Sequence, residues 1–272
     1  MPDQNPTVIR SAANQEIKAL RALETKKGRS QQNAFVSEGL RHVVEAVRRG
    51  WRVNRLVLSE SASPGELLRE AIHGCEAGGG RVLTVTDELM TRIARRDNAQ
   101  SVIAVIEQRW GKLESVVAAP GGTWLALEGI RDPGNLGSIV RSSDAFAVAG
   151  VLLIGNTVDP FSTEAVRASM GSIVNVPLIR LDETAYLDWH RSWTGRTVGT
   201  HLRASLQPES VGRGPATLLV MGNEQSGLPA RIAATCTRLV RIPMRDGADS
   251  LNLAAATAIM LYAVTASAGA QR

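Results

Sequence analysis

Apolar residues recur along the chain in two alternating rhythms: short runs of four to six, and spacings of three and four. Runs bounded by turn formers predict buried strands, and the wider spacing predicts helices with one apolar side. The clearest case lies mid-chain. Trp124 to Leu127 is apolar and ends in turn formers, Pro133-Gly134 breaks the chain, and Ile139, Val140 and Phe146 then recur near helical spacing. A strand, a loop, a helix from Leu136 to Phe146 and a second strand from Val151 to Ile154 follow from that pattern. The amino end of that helix presents free N–H groups beside Asn135, where an anion or a carbonyl-rich ligand can dock.

Before this stretch, Asn14 can cap a helix carrying Ile17, Leu20 and Leu23, whose basic exit leads into a polar loop from Arg29 to Asn33. A helix follows from Gly39 to Arg49, then strand Val53–Leu58, helix Glu66–Cys75, strand Arg81–Val85, helix Asp87–Ala94 and strand Val102–Ile106. Periodicity lapses between Trp110 and Thr123, where Pro120-Gly121-Gly122 appears. The reading is therefore a small α/β domain over residues 1–112, a linker over 113–122 and a second domain over 123–272. After Ile154 the second domain continues with helix Glu164–Met170, strand Pro177–Leu181, helix Thr184–Trp193, strands Arg196–Thr200 and Thr217–Met221, helix Pro229–Cys236, strand Leu239–Ile242 and a last helix from Ser250 to Ala266. That alternation predicts a parallel sheet covered on both faces.

Charge sharpens the division. The net charge is +5, and residues 1–112 hold 18 Lys and Arg against 13 Asp and Glu, whereas the remainder is balanced at 13 against 13. The excess sits in the first domain, which points to an anionic partner there. Two distant cysteines, Cys75 and Cys236, define no disulfide framework and fit a reducing, cytoplasmic compartment. The four histidines show no metal-ligand spacing with them, so no metal is expected. Residues 1–7 are polar and lack an apolar core of the secretory kind. Leu251 to Ala268 is Ala-rich and interrupted by Asn252, Thr257, Thr265 and Ser267, so it reads as a buried or interface helix rather than a membrane span.

The chain holds no phosphate-binding Gly-x-x-x-x-Gly-Lys-Ser/Thr, no Gly-x-Ser-x-Gly elbow and no dinucleotide Gly-x-Gly-x-x-Gly after the first strand of either domain. Instead, three loops leave the ends of apolar strands: Gly129–Asn135, Gly222–Leu228 and Pro243–Asn252. In an open α/β sheet, ligands collect at the carboxyl ends of strands, so the three can meet in one site.

At these loops a family resemblance becomes specific. The segment Asp132-Pro133-Gly134-Asn135-Leu136-Gly137-Ser138-Ile139-Val140-Arg141-Ser142 is similar to the first motif of the SpoU, or TrmH-like, branch of the SPOUT RNA methyltransferases. Leu219 to Leu228 resembles the second motif, and Ile242-Pro243-Met244 through Ser250-Leu251-Asn252-Leu253-Ala254 the third. The likeness covers about residues 123 to 266, and the first domain more loosely resembles an L30e-like substrate-binding domain through Lys18 to Arg29 and Phe35 to Gly39.

The resemblance implies a carboxyl-terminal domain with a trefoil knot that holds S-adenosylmethionine, methyl transfer to an RNA ribose 2′-hydroxyl, and a homodimer formed through that domain. It places Met221, Gly222, Ile242, Met244, Ser250 and Leu251 at the cofactor, and Asn135, Arg141, Glu224, Ser250 and Asn252 in the catalytic set. Because an arginine stays protonated, Arg141 is expected to bind a phosphate and stabilise a developing alkoxide rather than accept a proton. Lys18, Lys26, Lys27, Arg29 and Arg167 are the candidate RNA contacts. The added first domain favours ribosomal over transfer RNA by analogy. A transfer RNA methyltransferase, a non-catalytic ribosome-assembly protein and a small-molecule enzyme on a doubly wound sheet are the other readings. Intact motif residues weigh against the second, and the missing dinucleotide glycines against the third.

Overall fold

The computed structural model describes residues 8–95, 100–201, 204–211, 216–245 and 250–269, the last four by backbone alone. Residues 1–7 and the charged stretch Asp246–Asp249 before Ser250 lie outside the described residues. Contacts divide the chain into two units: Met1–Arg109 with Phe161–Asn175, and Trp110–Pro160 with Val176–Arg272.

In the first unit, α1 (Gln15–Ala22) starts where the Asn14 side chain accepts a hydrogen bond from the Glu16 N–H, and it buries Ile17 and Leu20. The next segment departs from the sequence reading. Arg29 to Asn33 is not a polar loop: Lys26–Gln32 forms α2, capped by Thr25 Oγ1 accepting from the Gly28 N–H at 3.0 Å and ended by Asn33 at φ 47°. Gly28 lies so close to the end of α1 that a Cβ would come within 1.9 Å of the Ala22 carbonyl oxygen. Polar residues fill α2 because it buries little beyond Gly28 and Arg29, so hydrophobic periodicity gave no signal.

Strand β1 (Ala34–Glu38), also absent from the pattern reading, precedes α3 (Leu40–Arg48), β2 (Val53–Ser59), α4 (Glu66–Ala77), β3 (Arg81–Val85), α5 (Asp87–Ala94) and β4 (Val102–Glu107). The sheet order is β1-β4-β2-β3, with β2 and β3 parallel and β4 antiparallel to both its neighbours. Val57, Ile103 and Val105 from the sheet pack with Ile17, Leu20, Leu89 and Met90 from the helices.

The second unit contains β5 (Thr123–Glu128), α6 (Pro133–Ala145) and β6 (Val151–Ile154). Helix α6 starts three residues before the expected Leu136, because the Asp132 carboxylate accepts from the Asn135 N–H at 2.6 Å and Pro133 suits the first turn. The next helix, α7 (Thr163–Ala168), groups with the first unit although residues 123–272 were read as one domain. Aromatic and ionic contacts account for this: the rings of Phe161 and Phe35 stack at 4.9 Å, Trp51 Nε1 donates to the Val174 carbonyl at 2.9 Å, and Arg167 pairs with Glu38.

The second unit resumes with β7 (Leu178–Leu181), α8 (Glu183–His190), β8 (Arg196–Thr200), β9 (Thr217–Met221), α9 (Ala230–Ala233), β10 (Arg238–Val240) and α10 (Leu253–Gly269). Its six strands are all parallel, in the order β10-β8-β9-β5-β6-β7. Tyr186 of α8 and Ile232 of α9 pack on one face against Trp124, Ala126, Leu152 and Leu218, while α10 packs against α6 and β9. Among the described residues no helix is long and apolar enough to cross a membrane.

Candidate active site

The two central strands of the parallel sheet, β9 and β5, are hydrogen-bonded neighbours, so the loops leaving them emerge side by side. Gly129 takes φ +61° directly after β5, and Gly222 directly after β9 cannot carry a side chain, since a Cβ would lie 2.2 Å from the Gly227 carbonyl carbon. The Gly222–Leu228 loop is accordingly a tight turn, closed by reciprocal Asn223–Gly227 backbone bonds of 3.2 and 3.0 Å.

Three side chains from the three motif loops form one row. Asn252 precedes α10 and accepts from the N–H groups of Ala254 and Ala255 on Oδ1, at 2.9 and 3.2 Å. Its Nδ2 therefore points away from the helix and donates to Asn135 Oδ1 at 2.8 Å. With that oxygen engaged, Asn135 Nδ2 donates to Glu224 Oε1 at 3.3 Å. The helix cap thus fixes the direction of the whole row.

Asn223, which the sequence reading did not single out, completes it. Its Oδ1 accepts from the N–H groups of Gln225 and Ser226 at 2.9 and 3.2 Å, and its Nδ2 donates to the Gly129 carbonyl at 2.7 Å and to Glu224 Oε2 at 3.3 Å. An Asn that bonds the backbone two residues on is an Asx turn, and Asn before a Gly-containing loop is its sequence signal. Asp132 was also missed as a helix cap, although Asp-Pro at a helix start announces one.

Beside this row lies a cavity of about 490 Å³, in the usual range for small-molecule sites. Met221, Gly222, Ile242, Met244, Ser250 and Leu251, the residues expected at the cofactor, all line it. Leu228, Val240 and Leu253 add apolar wall, and Glu224, His201 and Arg241 are its ionisable groups among the described residues. Arg141 stands exposed on α6, and none of the described residues pairs with it. Glu128, one residue before Gly129, has its carboxyl pushed above the usual range by burial and then by the nearby Glu183, against the opposing pull of Arg131 and the Asn223 backbone.

The five basic residues expected at RNA fall into two groups. Lys18, Lys26 and Lys27 are exposed on α1 and α2. Arg29 is instead 5% exposed, donating from Nη1 to the Leu23 and Glu24 carbonyls at 2.9 Å each. It ties down the exposed carbonyls at the end of α1, where a helix lacks internal donors. Arg167 is half-buried, and its Nη2 bonds the Glu38 carboxylate and the Ala94 carbonyl. In this structure both guanidiniums bond protein oxygens.

Comparison with known proteins agrees with this geometry. Residues 122–262 match the model of the SpoU rRNA Methylase family, and residues 14–104 match an MRM3-like substrate binding domain. The chain belongs to the SpoU rRNA methylase family. Within that family it is 28% identical over 255 residues to the 23S rRNA (guanosine(2553)-2′-O)-methyltransferase of Bacillus subtilis, covering 93% of this chain and 97% of the relative. It is 30% identical to the 23S rRNA (uridine(2479)-2′-O)-methyltransferase of Streptomyces viridochromogenes, over 94% of this chain and 90% of that one. The crystal structure of an rRNA methyltransferase from Sinorhizobium meliloti, solved also with AdoMet bound, superposes with a TM-score of 0.88 at 39% identity, covering 94% of this chain and 96% of that chain. A SpoU fold in the second unit, an α/β substrate-binding domain before it and an AdoMet site follow from that membership.

Proposed function

We propose that the protein transfers a methyl group from S-adenosylmethionine to a ribose 2′-hydroxyl of ribosomal RNA. The observation that carries this is the Asn252–Asn135–Glu224 row, drawn from all three motif loops and placed beside a cavity whose wall suits the cofactor. Met221, Leu228, Ile242 and Leu251 offer apolar surface for an adenosine and a thioether chain, and Gly222 lets backbone approach closely. When bound, the cofactor supplies an electrophilic methyl on a sulfonium. The protein's residues then act mainly by positioning and by excluding water.

Asn135 and Asn252 hold the row, Ser250 borders the cavity, and Arg141 binds a phosphate beside the target ribose and stabilises negative charge growing on its oxygen. Lys18, Lys26 and Lys27 grip phosphates outside the site, within a substrate domain over residues 1–112 joined by the linker 113–122 to the transferase domain over 123–272. Ribosomal rather than transfer RNA is favoured because two relatives matched along more than nine-tenths of the chain, at 93% and 94%, carry 23S rRNA names. The loop at 222–228 and the third-motif residues Ile242–Met244 and Ser250–Asn252 belong to a trefoil knot, as in the family pattern. Ile259 and Tyr262 of α10, 41% and 64% exposed, with Phe146 against Tyr262, form an apolar face that a second copy covers in a homodimer. Free cysteines and an rRNA substrate support a cytoplasmic setting.

The test is transfer of labelled methyl from S-adenosylmethionine to total RNA from cells lacking the protein, then size fractionation and nucleoside analysis. A 2′-O-methyl nucleoside in the 23S fraction is expected. Label confined to transfer RNA would replace the substrate, and a protein that binds no cofactor would end the enzyme reading.

A further inference from the structure

Apart from Glu224, the catalytic set leaves the hydroxyl proton without a destination. Arg141 cannot take it, since a guanidinium stays protonated, and the amides of Asn135 and Asn252 have no basic atom. Two groups lining the cavity can: Glu224, the only carboxylate among the described lining residues, and His201. Position separates them. His201 follows β8, and its backbone N–H bonds Val240 of β10, on the side of the sheet away from β5. Glu224 follows β9 and touches Asn135, which belongs to the loop after β5 and to the helix carrying Arg141.

Glu224 is also held ready. Each of its oxygens accepts one amide bond, both at 3.3 Å: Oε1 from Asn135 and Oε2 from Asn223. Neither amide can turn, because Asn252 fixes the first and the Asx turn fixes the second. No Lys or Arg pairs with the carboxylate among the described residues, and each oxygen keeps lone-pair capacity for a further donor. The side chain is exposed, so a substrate hydroxyl can reach it.

We propose that Glu224 is the proton acceptor of the transfer, with Asn135 and Asn223 as the positioning residues that aim it. This rests on the methyl-transfer reading above. The 2′-oxygen forms a bond to the methyl carbon while the carbon–sulfur bond breaks, leaving its electron pair on sulfur. The hydroxyl proton passes to a Glu224 oxygen and then to water, so charge and atoms balance: the sulfonium becomes a neutral thioether and the carboxylate a carboxylic acid.

The experiment is single-turnover transfer to 23S RNA transcribed in vitro, with wild type, Glu224→Ala and His201→Ala, and with formate, acetate or chloride added at equal ionic strength. Calorimetric affinity for S-adenosylmethionine, filter binding of RNA and thermal unfolding are measured on the same samples. Loss of a general base lowers the rate by about 10²- to 10⁴-fold. Glu224→Ala is expected to show that loss with both affinities and the melting point kept, and to regain rate with carboxylates, acetate more than the less basic formate, but not with chloride. Transfer by Glu224→Ala close to the wild-type rate overturns the proposal, and so does a loss that no carboxylate restores. If the wild type itself labels no RNA, the methyl-transfer reading fails instead.

Discussion

Replacing Asn252 by Asp separates two jobs that one amide performs. As a helix cap, Asp accepts from the Ala254 and Ala255 N–H groups as well as Asn does, and its charge suits the start of α10, a gain of about 0.3–1 kcal/mol. As a donor it fails. The atom now facing Asn135 Oδ1 at 2.8 Å is an oxygen, so Asn135 must rotate its amide and present Oδ1 to the Glu224 carboxylate instead of Nδ2. A hydrogen bond is lost and an acceptor meets an acceptor, which costs about 1–3 kcal/mol. If that cost falls on the aligned state needed for transfer, the rate drops roughly 5- to 150-fold. Asn252→Ala, by contrast, removes the cap and destabilises the fold by about 1 kcal/mol. Urea unfolding and single-turnover methyl transfer on both variants give the two readouts. The expected pattern is a stable, slow Asp variant and a less stable Ala variant. Wild-type transfer by Asn252→Asp would refute the directed row, and equal destabilisation by the two substitutions would refute the cap.

Arg141→Lys keeps a positive charge but loses the planar fork, so cofactor affinity by calorimetry should hold while transfer falls by more than about tenfold. Lys26→Ala with Lys27→Ala should weaken RNA binding at low salt without lowering the melting point, whereas Arg29→Ala should cost about 2–4 kcal/mol of stability, because it strips donors from two carbonyls and empties a buried position. Glu128→Gln tests the raised carboxyl beside the site. A folded-state value above the unfolded one adds stability at low pH that disappears as pH rises through the folded value. The Gln variant should therefore melt above wild type near about pH 7.5, with the gain vanishing toward about pH 4.

Much of the fold was legible because buried strands announce themselves. Trp124–Leu127, Val151–Ile154 and Thr217–Met221 are apolar runs ended by turn formers, and each is a strand of the parallel sheet. Helix α2 was not legible, since it is held by a Thr25 cap and a close approach at Gly28 rather than by an apolar stripe. Strand β1 escaped because its five residues include Ser37, buried in an antiparallel pairing with Ala104 of the distant β4. At the site, the family resemblance of the motifs pointed to the residues lining the cavity, but not to the direction of the row, which depends on the helix start engaging the Asn252 side-chain oxygen. Arg29 and Arg167 show how little charge alone says of a side chain's place. Counted as charge, they suggested a partner; in the structure their hydrogen bonds go to carbonyls and a carboxylate.

The position of β9 has a consequence for synthesis. It is made after β5, β6, β7 and β8, yet it lies between β8 and β5 and is the strand that joins them. Until residues 217–221 have emerged, β5, β6 and β7 form a three-stranded piece whose β5 edge lacks its partner, and β8 has no strand to join it to that piece. Long-range parallel pairing is slow, and open edges recruit other chains. A nascent chain paused before this strand is thus the state most exposed to aggregation, and the site is completed later still, when Asn252 at the start of α10 joins the row.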